Sequence, residues 1–126
     1  MTMKALAVAL ICMAAAGCRQ PLHVSTVQVG RSLNGDNTVA THTTRFKPGD
    51  TIYASVLTDR TGSSRILARW SYTGRVVSET QKRVSYKGDA ATEFHFQSAG
   101  GFPPGDYKVE IFVDGQSVAS RDFRVE

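Results

Sequence analysis

Apolar and polar residues alternate along most of the chain, in short runs that glycine, proline, aspartate and asparagine interrupt at close intervals. Alternation with a period of two places successive side chains on opposite faces of an extended strand. The clearest run, residues 66–72, places Ile66, Ala68, Trp70 and Tyr72 on one face. After the first twenty or so residues, no stretch shows the period of an amphipathic helix, so the pattern predicts an all-β domain.

The same alternation predicts further strands on both sides of this run. The residues 76–79 and 82–86 are more polar than the others, which suits strands at the edge of a sheet. Alternation predicts strands at 24–33, 51–57, 76–79, 82–86, 92–96, 107–113 and 117–125, and a loosely extended piece at 38–46.

Turn residues separate these segments. Lys47-Pro48-Gly49-Asp50 is a turn sequence, because proline fixes φ and glycine accepts a positive φ. Asp114-Gly115 is a dipeptide that favours a type I′ hairpin. Residues 59–64 and 98–105 are predicted to be loops, the first because it is rich in glycine and serine.

Seven or eight short strands separated by frequent turns are typical of a β-sandwich. Trp70 lies in the middle of its strand, and Tyr107 begins the penultimate strand directly after Pro-Gly-Asp, which resembles a tyrosine corner. Together with residues 46–53, 105–111 and 122–125, these features resemble the immunoglobulin-like domains of small uncharacterised bacterial lipoproteins. The resemblance implies an immunoglobulin-like antiparallel β-sandwich with Trp70 and Tyr107 in its core, and it implies no catalytic residues.

In such sandwiches the strand with the tryptophan lies antiparallel beside the strand with the tyrosine. The register that aligns both apolar faces pairs Trp70 with Val109, because a slip by one residue would turn one strand's core residues outward. The same register pairs Leu67 with Phe112 on the outer face. We expect Arg65, Arg69 and Arg121 around that apolar pair.

The N-terminus has the order of a secretory signal, with Lys4 before an apolar run that ends in small residues. The run is shorter than the roughly 20 apolar residues that span a bilayer, and we expect it to be helical. Its end, Ala15-Ala16-Gly17-Cys18, resembles the bacterial lipobox, with Ala15 where leucine is usual. The resemblance implies cleavage between Gly17 and Cys18 and a lipid on the Cys18 thiol. The alternative is an ordinary secretory signal that is cut nearby and leaves Cys18 free.

This interpretation divides the chain into a signal peptide at 1–17, a lipidated cysteine with a tether at 18–23 and a sandwich domain at 24–126. The expected location is the cell envelope, with the protein attached to a membrane through its lipid. Arg19 is not the aspartate that favours retention in the inner membrane of similar lipoproteins. We therefore expect delivery to the outer membrane, facing the periplasm.

Charge and cysteine content narrow the possible functions. The chain has 15 Lys and Arg against 11 Asp and Glu, and the basic residues are scattered. A secreted protein of this mild charge is not expected to bind nucleic acid. Both cysteines, Cys12 and Cys18, lie at or before the cleavage point, so the mature domain would contain no disulfide.

Motifs for catalysis are missing from the sequence. His23, His42 and His95 have no second metal ligand at a useful spacing. No nucleophile elbow, phosphate-binding loop or dinucleotide fingerprint occurs. We therefore expect no enzymatic activity, no metal and no small-molecule cofactor.

The predicted function is a non-catalytic accessory or interaction module that contacts another envelope protein through Leu67, Phe112, Arg65 and Arg69. One alternative is a carbohydrate- or peptidoglycan-binding module, with Tyr53 and Phe112 as its aromatic platform. Another is a sandwich that resembles a protease inhibitor, with residues 59–64 or 98–105 as the reactive loop.

Overall fold

The computed structural model describes residues 20–126, which form eight β-strands in two sheets. The smaller sheet has the order β1-β3-β6, and the larger has the order β2-β8-β7-β4-β5. All ladders are antiparallel except the short one between β2 and β8. The predicted all-β sandwich is confirmed, whereas the expected helical signal peptide lies outside the described residues. The strands are β1 Val24–Gly30, β2 Arg45–Phe46, β3 Ile52–Thr58, β4 Thr61–Tyr72, β5 Arg75–Lys87, β6 Ala90–Phe96, β7 Gly105–Val113 and β8 Gln116–Val125.

The core lies between the two sheets and is built around one indole. Trp70 is fully buried, and its ring stacks on Phe96 with 5.2 Å between the centroids. Phe123 meets the same indole edge-on at 5.9 Å. Burial of this cluster removes a large apolar area from water, which is the main force that holds the two sheets together.

The predicted register between β4 and β7 is confirmed. Trp70 is opposite Val109 on the inner face, and Leu67 is opposite Phe112 on the outer face. Alternation fixed this register because any shift by one residue would have buried the charge of Arg69.

The prediction of a loop at residues 59–64 is wrong for its last four residues. β4 begins at Thr61, and β5 is one continuous strand rather than two. Hydroxyl groups connect the two strands in this region: Ser63 Oγ donates to Ser85 Oγ at 2.9 Å, and Thr61 Oγ1 donates to the Lys87 carbonyl at 2.9 Å. Val84 and Tyr86 of β5 pack against the core here, so the apolar contribution comes from β5 and not from residues 61–64.

The loosely extended piece expected at 38–46 forms a strand only at its end. β1 stops at Gly30, and the chain then turns, with isolated bridges from Gly30 to His42 and from Leu33 to Val39. Only β2 continues as a strand, because it reaches the edge of β8 and pairs there in parallel. Val39 from this connection is nonetheless buried.

The residues before β1 are packed on the sandwich. The Ser63 amide donates to the Gln20 carbonyl at 3.2 Å, and the Leu22 amide donates to Ser64 Oγ at 2.8 Å. Leu22 is 4% exposed and belongs to the core. Within the described residues, contacts with the domain are therefore already present at Gln20, before β1, because β4 extends past β7 and leaves an edge that this segment fills.

β5 is an edge strand, as its polar character predicted. Two of its side chains reach the facing sheet and close that side of the sandwich. Lys82 Nζ lies 3.0 Å from Glu93 Oε1, and Tyr86 Oη lies 2.7 Å from Thr92 Oγ1. Over residues 20–126, no helix has the length and apolar character needed to cross a membrane.

Candidate interaction surface

The outer face of the five-stranded sheet carries the predicted apolar pair. Leu67 and Phe112 are directly opposed and half-buried. The guanidinium carbon of Arg69 lies 4.4 Å from the centroid of the Phe112 ring. A cation over an aromatic face is attracted by the ring quadrupole, so Arg69 covers part of the surface that we expected to be open.

Arg69 is held in this position from its other side. Its Nε donates to Glu79 Oε1 at 2.9 Å, and Glu79 is its direct partner in the β4–β5 ladder. Both side chains remain partly exposed, at 35% and 43%. The result is a small apolar surface bordered by an arginine side chain that Phe112 and Glu79 hold in place. Aromatic and arginine side chains in such an arrangement are enriched among residues that dominate the energy of protein interfaces.

Arg65 is exposed and lies two residues before Leu67 on the same face. Its partner across the β4–β5 ladder is a second arginine, Arg83, which the sequence analysis did not predict. Ser63 and Ser85 form the next pair on the same face. These four residues, together with Ser64, Val84 and Asp114, line an open cleft of about 540 Å³.

Sequence reasoning missed Arg83 because it treated residues 59–64 as a loop. A signal was present in the sequence: Ser63-x-Arg65 and Arg83-x-Ser85 are mirror images, as two antiparallel strands require when like residues are paired.

The expected place of Arg121 beside the apolar pair is wrong. Arg121 is opposite Val109, an inward-facing residue, and therefore lies on the other side of the sheet. Its Nη2 donates to Thr26 Oγ1 of β1 at 3.3 Å.

Tyr107 forms the predicted corner. Its hydroxyl donates to the Pro103 carbonyl at 2.7 Å, and the Tyr72 hydroxyl donates to the Pro104 carbonyl at 2.8 Å. Burial raises the pKa of Tyr107, with a smaller contribution from Tyr72, so the phenol keeps the proton that it donates. The two tyrosine hydroxyls thus hold the loop before β7 by two of its backbone carbonyls. Phe102 of this loop packs into the core and is 3% exposed.

The aromatic platform expected for a sugar site does not form. Tyr53 belongs to β3 of the small sheet, where its ring lies 6.2 Å from that of His95. Phe112 faces outward from the other sheet, so the two side chains are on opposite sides of the sandwich. Trp70 is buried between the sheets.

Titratable side chains of the described part do not gather into a reactive site. From Gln20 onward, no group of three or more His, Cys, Asp or Glu residues is placed to hold a metal ion. His23 contacts Asp59 at 2.9 Å and His95 contacts Glu93 at 3.2 Å, and both histidines are about half exposed. Gly17 and Cys18 lie outside the described residues.

Comparison with solved structures identifies the fold. An immunoglobulin-like protein from Pseudomonas aeruginosa matches with a TM-score of 0.59 and 13% identity, over 87% of this chain and 100% of that chain. An alkylpurine DNA glycosylase from Pseudomonas fluorescens matches with a TM-score of 0.50 and 15% identity, over 79% of this chain and 30% of the glycosylase. No family model and no curated protein sequence matches the chain. The chain therefore has an immunoglobulin-like fold, which confirms the fold implied by the resemblance. Its lipoprotein character remains a prediction.

Proposed function

We propose that this chain is a non-catalytic, lipid-anchored module of the cell envelope that binds another envelope protein through the outer face of its five-stranded sheet. The observation that carries the proposal is the opposed pair of Leu67 and Phe112, with the Arg69 guanidinium on the Phe112 ring. This surface combines apolar area with an ordered cation, and burial under a partner would strengthen both interactions.

The anchoring half of the proposal is supported by the order of residues at the N-terminus. Small residues lead directly to Cys18, and Gln20, two residues later, is hydrogen-bonded to the sandwich. Each buried methylene of an acyl chain contributes about 0.8 kcal/mol, so more than one chain makes attachment durable. By the same resemblance we propose the outer membrane, facing the periplasm, as the location.

The non-catalytic half is supported by the positions of the chemically active side chains. His42 is exposed, His23 and His95 each contact a single carboxylate at the surface, and the one tryptophan lies in the core. The immunoglobulin-like fold serves many binding roles, and the fold alone does not assign an activity.

Site-specific crosslinking in intact envelopes tests the binding surface. A photoreactive residue at position 67 is expected to capture a protein of one defined mass, and the Phe112→Ser variant is expected to lose most of that adduct. The same photoreactive residue at Tyr53 serves as the control, because Tyr53 is half-buried like Leu67 but lies on the other side of the sandwich, in the three-stranded sheet. Equal capture at both positions, or an adduct unchanged by Phe112→Ser, contradicts the proposal.

A further inference from the structure

The attachment of the N-terminal segment fixes where a lipid on Cys18 can lie. Gln20 is bound to the Ser63 amide, and only two peptide units separate Gln20 from Cys18. Two extended residues span at most about 7 Å. An anchor on Cys18 would therefore hold the bilayer surface beside the first residues of β4, whereas a long flexible tether would leave the domain free to turn.

The first residues of β4 also line the cleft with the two arginines. Arg65 and Arg83 are directly opposed, and opposed residues in an antiparallel ladder have their Cβ atoms about 5 Å apart. Like charges on directly opposed residues destabilise a sheet, and an anion bound between them would offset that cost. Neither arginine forms a salt bridge with a carboxylate in the described part of the chain, although Arg31, Arg69 and Arg124 do.

The groups around the two arginines match a phosphate. The hydroxyls of Ser63 and Ser85 lie on the same face one pair further along the ladder, and they are hydrogen-bonded to each other. The one carboxylate that lines the cleft, Asp114, accepts a hydrogen bond from the Arg65 amide at 3.0 Å. Two guanidinium groups and two hydroxyls offer several charge-assisted donors to phosphate oxygens.

We propose that the cleft between Arg65 and Arg83 binds the head-group phosphates of anionic phospholipids in the membrane that carries the anchor. The inference rests on the lipidation of Cys18 proposed above. It makes this end of the sandwich the membrane-facing end and points the opposite end away from the bilayer. Basic side chains near an anionic membrane surface contribute about 1 kcal/mol each, so two of them are enough to bias an anchored domain.

Two single-cysteine variants measure this orientation in the full, lipidated chain. Gly88→Cys labels the turn between β5 and β6 at the membrane-facing end, and Gly100→Cys labels the loop at the opposite end. A Cβ at either glycine has open space around it. The processed chain would hold no other free thiol, because Cys12 is removed and Cys18 is acylated.

A fluorophore on each cysteine is measured in vesicles that contain nitroxide-labelled head groups and about 30% phosphatidylglycerol. We expect quenching at position 88 to be at least about twofold stronger than at position 100, because a head-group quencher acts only over a short distance. Arg65→Glu with Arg83→Glu is expected to lower the ratio of the two signals clearly, toward the value that the short tether alone sets, while the chain stays on the vesicles. The control, Arg75→Glu with Lys108→Glu, changes the net charge equally at distant exposed positions and is expected to keep the difference.

Equal quenching of the two labels overturns the proposal, as does a difference that keeps its full size after the Arg65/Arg83 substitutions. A difference of the same size in uncharged phosphatidylcholine vesicles also overturns it, because anchor geometry alone would then orient the domain. A chain that fails to float with the vesicles contradicts the lipid anchor itself, which separates that failure from a failure of the cleft.

Discussion

Two buried polar atoms, the Ser55 hydroxyl and the Trp70 indole nitrogen, have no hydrogen-bond partner among residues 20–126. Ser55 is fully buried in the central strand of the small sheet. Removal of a buried hydroxyl that makes no hydrogen bond leaves the packing at Cβ intact and abolishes a desolvation cost. Each such atom lowers the free energy of unfolding. The alternation of apolar and polar residues does not reveal that it is buried without a hydrogen-bond partner.

Ser55→Ala is expected to increase the free energy of unfolding by about 1 kcal/mol. Ser64→Ala is the matched control, because Ser64 is also buried but accepts a hydrogen bond from the Leu22 amide. The control is expected to lower stability by about 1 kcal/mol. Urea unfolding followed by tryptophan fluorescence measures both variants, and a loss of stability in Ser55→Ala would contradict this account.

At the scale of elements, β5 is joined to β6 through side chains. Burial alone would raise the pKa of Glu93, but hydrogen bonds from Lys82 and His95 outweigh it and hold the pKa below its usual value of 4.5. A carboxyl group whose pKa is lower in the folded state stabilises the fold above its unfolded pKa. That contribution is lost as pH falls through the folded value.

Glu93→Gln is therefore expected to cost about 1 kcal/mol at pH 7 and less at pH 3, because the contribution of the wild-type carboxylate declines as the pH falls toward and through its lowered pKa. Urea unfolding of both proteins at the two pH values checks this. Glu79→Gln is a control from the exposed pair with Arg69, for which a smaller effect is expected. A penalty for Glu93→Gln that is the same at both pH values would rule out the linkage.

The elements that could be predicted from the sequence are those whose two faces differ in polarity. β4 and β7 alternate strictly, so both their strand character and their register followed from the pattern, and with them the Leu67–Phe112 pair. Residues 61–64 could not be predicted, because hydroxyl-rich residues form a strand there through backbone and side-chain hydrogen bonds. The cleft between Arg65 and Arg83 was missed for the same reason.

At the scale of the whole molecule, the proposed anchor and the packed N-terminal segment act together. Cys18→Ser removes the acceptor of the lipid while Gln20 and Leu22 keep their contacts with β4. The variant is expected to leave the membrane fraction, either as a soluble domain or as an uncleaved precursor. Fractionation with mass measurement checks this, and a processed chain that stays on the membrane would contradict the lipobox interpretation.

The free edge of β5 gains importance when many copies share one membrane. Anchored molecules diffuse in two dimensions, where their local concentration is high and identical edges meet repeatedly. A long flat edge would then join neighbours into extended sheets. The β5 edge is interrupted by an irregularity opposite Trp70 and Ser71, and Arg75, Arg83 and Lys87 give it positive charge. If the proposed anchor is present, neighbouring copies would repel one another along this strand, which would leave the outer face of the sheet open to other molecules on a crowded surface.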